Sequence, residues 1–193
     1  QPTGDGSFMA LTFATRDIRC KPDQPTTVFA ATEDGLFRTT NSGTTWTNVL
    51  GGDALEIEFH PNDPDTMYVV RRNGDITEFF RSYNAGTTFT QQTTGWPAPN
   101  LGLEEHQQRT EIAVTPDAPD KVYALATGSA DGGSGLYGVY VSADRGSTWT
   151  FQCCGPGPGG PPSSSNMNLM GWSDQGLDDG GQYYYDLAFG VSP

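Results

Sequence analysis

Lysine is nearly missing from this sequence. Lys21 and Lys121 are the only two among 193 residues, and ten basic side chains in all stand against 23 acidic ones, for a net charge of −13. A surface of that sign repels polyphosphate over most of its area, which argues against nucleic acid as a partner. Long apolar runs are missing as well. None approaches the roughly 20 residues that cross a bilayer, so no membrane span is expected, and no basic-then-apolar leader stands at the start. A chain that opens on Gln1 reads as processed or excerpted from something longer.

Cysteine is scarce, and its number is odd: Cys20, Cys153 and Cys154. Neighbouring cysteines can close only a small ring, and no fourth soft ligand sits near a spaced pair. The pattern therefore argues against both a disulfide framework and a zinc site, and the three read as buried or unpaired thiols. Charged residues, at 17%, fall below the roughly 25% usual for soluble domains, while 25 Gly and 14 Pro favour turns over helices. An all-β chain is the expectation.

What is present is a repeat, written three times and begun a fourth. Each unit opens on an alternating strand that ends at Pro22, Pro61, Pro116 or Pro193. Four residues before the proline stand Ile18, Ile57, Ile112 and Phe189, and two before it Cys20, Phe59, Val114 and Val191, so those side chains share one face. Cys20 thus occupies the slot of a core hydrophobe. A turn follows (PDQP, PNDP, PDAP), then a second strand carrying Val28-Phe29, Met67-Tyr68 or Val122-Tyr123, then a third reading LFRT, FFRS or VYVS.

The third strand runs into TTNSGTTW at 39–46, SYNAGTTF at 82–89 and SADRGSTW at 142–149. An Asn or Asp side chain can accept N–H bonds across a tight turn, glycine tolerates positive φ, and an aromatic can plug a sheet edge. These segments resemble the Asp-box, or BNR repeat, with Asn41, Gly43 and Trp46, Asn84, Gly86 and Phe89, and Asp144, Gly146 and Trp149 at its defining places. Two boxes have Asn for Asp, and one has Phe for Trp. The resemblance extends over about 16–152 and resumes at 186–193.

Asp-box chains form β-propellers, so the resemblance implies a partial propeller. The expected parts are about three four-stranded antiparallel blades (16–50, 55–92 and 110–152), an insertion loop at 153–182, and the first strand of a fourth blade at 185–193. Propellers close into rings, so the remaining blades of a larger protein are an expected partner. Within a blade the proline turns and boxes share one rim, while all variation in length falls on the other. That rim, carrying loops on a rigid scaffold, is where binding is expected.

On it lie Trp96 and Trp172, which could stack on a sugar ring or a partner side chain or else cap the core, together with Tyr183 and Tyr184. Asp174, Asp178 and Asp179 are candidate Ca²⁺ ligands, although their spacing is not that of the calcium-loop motif; no other cofactor is expected. Similar propellers occur in sialidases, xyloglucan-degrading glycosidases, sortilin-like receptors and exported bacterial proteins. The resemblance therefore implies a secreted or cell-surface module that binds a polysaccharide or protein. The alternative it implies is an inverting, xyloglucanase-like glycoside hydrolase. FAATEDG at 29–35 resembles the general-base turn of those enzymes, with Glu33 or Asp34 as catalyst and the second carboxylate outside this chain.

Overall fold

A computed structural model describes residues 14–98, 106–129, 135–154, 167–178, 180–181 and 187–192. Twelve strands form three sheets. The first contains β1 (Thr15–Lys21), β2 (Gln24–Thr32), β3 (Gly35–Thr39) and β4 (Thr47–Gly51). The second contains β5 (Asp53–His60), β6 (Asp63–Asn73), β7 (Ile76–Ser82) and β8 (Thr90–Gln92). The third contains β9 (His106–Val114), β10 (Val122–Ser129), β11 (Gly135–Ser142) and β12 (Thr150–Cys153). Each sheet pairs its strands antiparallel in chain order, and there is no helix among the described residues.

The sheets stack face to face, each boundary sealed by its own core. Phe29, Ala31 and Leu36 of the first meet Ile57, Phe59, Met67, Val69 and Phe80 of the second. Tyr68, Val70 and Phe79 of the second meet Ile112, Val122, Ala124 and Tyr140 of the third. The period of two explains this: neighbours along β6 point to opposite boundaries, so the middle sheet is apolar on both faces. Each such side chain contributes about 1.5–3 kcal/mol when fully buried.

The Gly-aromatic loops share one internal geometry. In the first, the Thr39 hydroxyl donates to Asn41 Oδ1 (2.9 Å) and accepts from Gly43 N–H (3.0 Å), while Asn41 Oδ1 also accepts from Thr45 N–H (2.9 Å). Ser82, Asn84, Gly86 and Thr88 repeat the set, as do Ser142, Asp144, Gly146 and Thr148. Asn replaces Asp without loss because the last bond reverses: Asn41 Nδ2 donates to the Thr45 hydroxyl, whereas the Thr148 hydroxyl donates to Asp144 Oδ2. Each loop also ties its rim to the neighbouring proline turn, through Ser42 N–H to Thr26 O, Ala85 N–H to Asp65 O and Arg145 N–H to Asp120 O.

Two further devices join one sheet to the next. Arg38 of β3 donates from Nη1 to Ala85 O and Thr87 Oγ1 of the following loop. Arg81 of β7 does the same to Arg145 O and Ser147 Oγ, both at 2.7 Å. The residue before each proline supplies the second: buried Lys21 pairs with Asp65 at 2.9 Å, and His60 with Asp120 at 3.5 Å. The third sheet has Val141 and Thr115 at these places, so its outward face carries neither device, and the Thr115 hydroxyl is buried with no hydrogen-bond partner among the described residues.

Several expectations are corrected. Ile18 is 57% exposed and Cys20 is an exposed free thiol, because no described residue covers the outer face of β1. The face is apolar as read, but among the described residues it is the end of the stack rather than a core. Cys153 and Cys154 are joined in a disulfide instead of standing as unpaired thiols. Residues 187–192, where the first strand of a fourth blade is expected, lie in none of the three described sheets, and Arg109 Nη2 donates to Leu187 O at 3.4 Å.

Candidate functional site

Among the described residues, the rim opposite the proline turns is built from the β2–β3 and β6–β7 connections and from part of the segment after β12. The described part of that segment, 167–178, is organised by Asn168, which is buried. Its Oδ1 accepts from Leu136 N–H (2.9 Å) and Met170 N–H (3.1 Å), and its Nδ2 donates to Asp178 O (2.9 Å) and Gly180 O (2.7 Å). One amide thus satisfies four backbone groups and pins the segment to the start of β11. Adjacent chain supports it: Gly135 leaves no room for a side chain, since a Cβ there would meet Asn168 Nδ2 at 2.4 Å.

The anchored segment displays Trp172, whose side chain is 68% exposed. Asp178 shapes the display by accepting from Trp172 N–H (2.7 Å) and Ser173 N–H (3.1 Å). The Ser173 hydroxyl and then these two amides hold its carboxyl below the usual range. Asp178 is therefore occupied as a turn organiser, and among the described residues no three metal-ligating side chains gather near it or elsewhere. Asp174 lies in the same segment. Asp179, Tyr183 and Tyr184 lie outside the described residues.

Trp96 is placed differently from a stacking platform. It is 7% exposed, its indole N–H donates to Thr77 O at 2.7 Å, and its ring packs on Phe79 (5.2 Å) and Trp149 (4.8 Å). The connection after β8 folds inward because Trp149 N–H bonds to Thr94 O, carrying Trp96 into the boundary between the second and third sheets. It caps the core there.

Glu33 and Asp34 form the β2–β3 turn, and both are exposed. Glu33 accepts from Arg16 Nη2 at 3.3 Å, and Arg16 also grips Asp53, which Arg72 meets at 2.7 Å. Asp34 engages the described residues through its backbone, its N–H donating to Thr32 Oγ1 and its carbonyl accepting from Asn48 Nδ2. Arg16 and Asn168 are the organising residues that sequence reasoning missed. Arg16 lies two positions before Ile18, the first repeated core slot, and an asparagine among small polar residues carries no periodic signal.

A second acidic group sits between the sheets, on the first strand of each. Glu56 of β5 is bonded to Glu111 of β9 and lies 3.5 Å from Arg19, which also meets Glu58 at 3.2 Å. Burial, and after it the charges of Glu111 and Asp17, push the Glu56 carboxyl up to about 9, so it holds a proton at neutral pH. Burial likewise raises Glu58. Arg109 Nε donates to Glu111 at 2.6 Å. Both glutamates are closed off from solvent, and two carboxyls in contact leave no space for a glycosidic bond between them.

No family model and no curated protein matches the sequence. Solved structures do. An ancestral GH74 enzyme superposes with a TM-score of 0.58 at 17% identity, over 74% of this chain and 18% of that one. The chain is a segment of β-propeller. Looser likenesses, with TM-scores of 0.43 and 0.42, include the GH74 xyloglucanase of Xanthomonas campestris (12% identity, 72% of this chain, 30% of that one) and an auxiliary nutrient binding protein of Bacteroides thetaiotaomicron (11%, 80% and 52%). The chain therefore spans about a fifth of the propeller enzyme it superposes on best among these three, and its sheets are blades in that sense. The described residues contain no helix, and so none long and apolar enough to cross a membrane.

Proposed function

We propose that this chain is part of an exported Asp-box propeller whose variable rim binds a polysaccharide or a protein. The observation that carries the reading is Trp172: a large aromatic held in solvent by a segment that Asn168 and Asp178 tie down. An exposed ring on loose chain loses entropy when it binds, whereas a ring already fixed keeps more of its stacking energy. Support for export comes from the Cys153–Cys154 disulfide, a bond that persists in oxidising compartments. The remaining blades of a larger protein are the partner this reading requires, and Ca²⁺ near Asp174 stays a proposal that chelation followed by a thermal melt would test.

The hydrolase reading rests on Asp34, since Glu33 is already held by Arg16. It requires a second carboxyl roughly 6.5–9.5 Å away. Glycan arrays and reducing-sugar assays separate the two. Retention of a glycan or protein without turnover, lost in Trp172→Ala, supports the binding module. Turnover lost in Asp34→Asn, with retention unchanged in Trp172→Ala, replaces it with the hydrolase.

A further inference from the structure

Arg38 and Arg81 hold equivalent places in successive blades, and each spends only one guanidinium nitrogen, Nη1, on the loop of the next blade. What stands two residues further on differs. In the second blade it is Tyr83, whose ring lies over the Arg81 guanidinium with 4.5 Å from Cζ to the ring centroid while remaining 54% exposed. In the first blade it is Thr40, too short to reach. There a notch of about 230 Å³ opens, lined by Arg38, Thr40, Thr45, Thr47, Val49 and Thr87.

We propose that this notch is a docking pocket for one aromatic side chain, a tyrosine carried on a basic segment of a partner protein. The second blade supplies the template, because Tyr83 shows that a phenol ring fits against this arginine in this backbone setting. Size agrees: the notch is smaller than the roughly 300–1,000 Å³ of small-molecule sites and suits a single ring. Its chemistry agrees as well. The flat face of a guanidinium attracts an aromatic ring, and Val49 with the threonine methyls offers apolar walls.

A bare anion is a poorer fit, since the lining holds no second cation and two hydroxyls are engaged, Thr45 by Asn41 and Thr87 by Arg38. Basic flanks follow from the net charge of −13, which steers cationic segments toward the protein. The notch lies beside the 39–46 loop, on the rim opposite Trp172, so it stands independently of the reading above.

The test titrates the full chain with the blocked tripeptides Lys-Tyr-Lys and Lys-Leu-Lys, reading backbone and arginine side-chain resonances. The tyrosine peptide should bind roughly threefold to thirtyfold more tightly, the range a cation–π contact supplies, with shifts centred on Arg38 and Thr87. Thr40→Tyr should fill the notch and abolish that preference, in a fold the second blade already shows to be compatible. Tyr83→Ala should open a twin pocket at Arg81 and raise the stoichiometry from one to two. Equal binding of the two peptides, full binding by Thr40→Tyr, unchanged stoichiometry in Tyr83→Ala, or a notch that takes inorganic phosphate and ignores the ring would each overturn the proposal.

Discussion

The glycines of the three Gly-aromatic loops have positive φ, at 86° for Gly43, 67° for Gly86 and 79° for Gly146, yet they do not carry equal weight. A Cβ on Gly86 would meet the Phe29 ring at 2.4 Å, and one on Gly146 the Phe79 ring at 2.3 Å, each ring belonging to the preceding blade. Gly43 has only its own Trp46 nearby, at 3.7 Å. Gly43→Ala should therefore lose about 1–2 kcal/mol from left-handed backbone alone, while Gly86→Ala and Gly146→Ala should lose clearly more, because a ring must move too. Urea unfolding of the three variants checks this, and equal losses would mean that the rings do not seat the loops. At Asp144, burial acts upward but the Thr148 amide, the Ser142 and Thr148 hydroxyls and the Ser147 amide together hold the carboxyl below its ordinary range. Its contribution is complete above the unfolded value near 3.8 and is lost as pH falls through the lower folded value. Asp144→Asn, which keeps the Asn41 pattern, should blunt the acid loss of stability.

Between elements, neighbouring blades are joined by apolar packing, by the Arg38 and Arg81 bonds, and by the buried glutamate pair. Arg81 spends both Nη1 hydrogens on the 142–149 loop, donating to Arg145 O and Ser147 Oγ at 2.7 Å, with Asp144 O a longer neighbour at 3.4 Å. Charged hydrogen bonds contribute about 1.5–3 kcal/mol, so Arg81→Met, which keeps the stem, should cost about that much in a denaturant melt and leave the loop amides more open to hydrogen exchange. Glu56 works in the opposite sense. Its folded pKa of about 9 exceeds the ordinary 4.5, so the stability it contributes is whole below about 4.5 and is lost progressively as pH rises toward 9. Asp17, Arg19, Glu58, Glu111 and Arg109 are the charged groups around it. Glu56→Gln keeps the hydrogen-bonding shape without the proton, so its melts should show a flatter pH profile, with an advantage over wild type that widens across that window.

At the scale of the whole molecule, the all-β class and the blade repeat were legible because alternation along β5 and β9, proline turns and glycine-aromatic loops are local signals written several times. The partners of those signals were not legible. Trp96 could be read as a stacking ring or as a core cap, because nothing local says that Thr94 will bond to Trp149 and draw it inward, and Asn168 gave no sign that one amide would fasten a whole segment. Sequence spacing also equated Ile18 with Ile57, although one lies at the end of the stack and the other inside it. That difference can be measured. Ile57 is fully buried against Phe29 and Leu36, so Ile57→Asp places a carboxylate in an apolar boundary and should unfold the chain or cost several kcal/mol. Ile18, 57% exposed, should accept Asp with a change within about 0.5 kcal/mol. Alkylation reports on the same face: Cys20 should react in the native protein, whereas Cys153 and Cys154 should react only after reduction. A native Cys20 that resists alkylation, together with an Ile18→Asp loss matching that of Ile57→Asp, would mean that the outer face of β1 is covered in solution, and the stack would then continue past it.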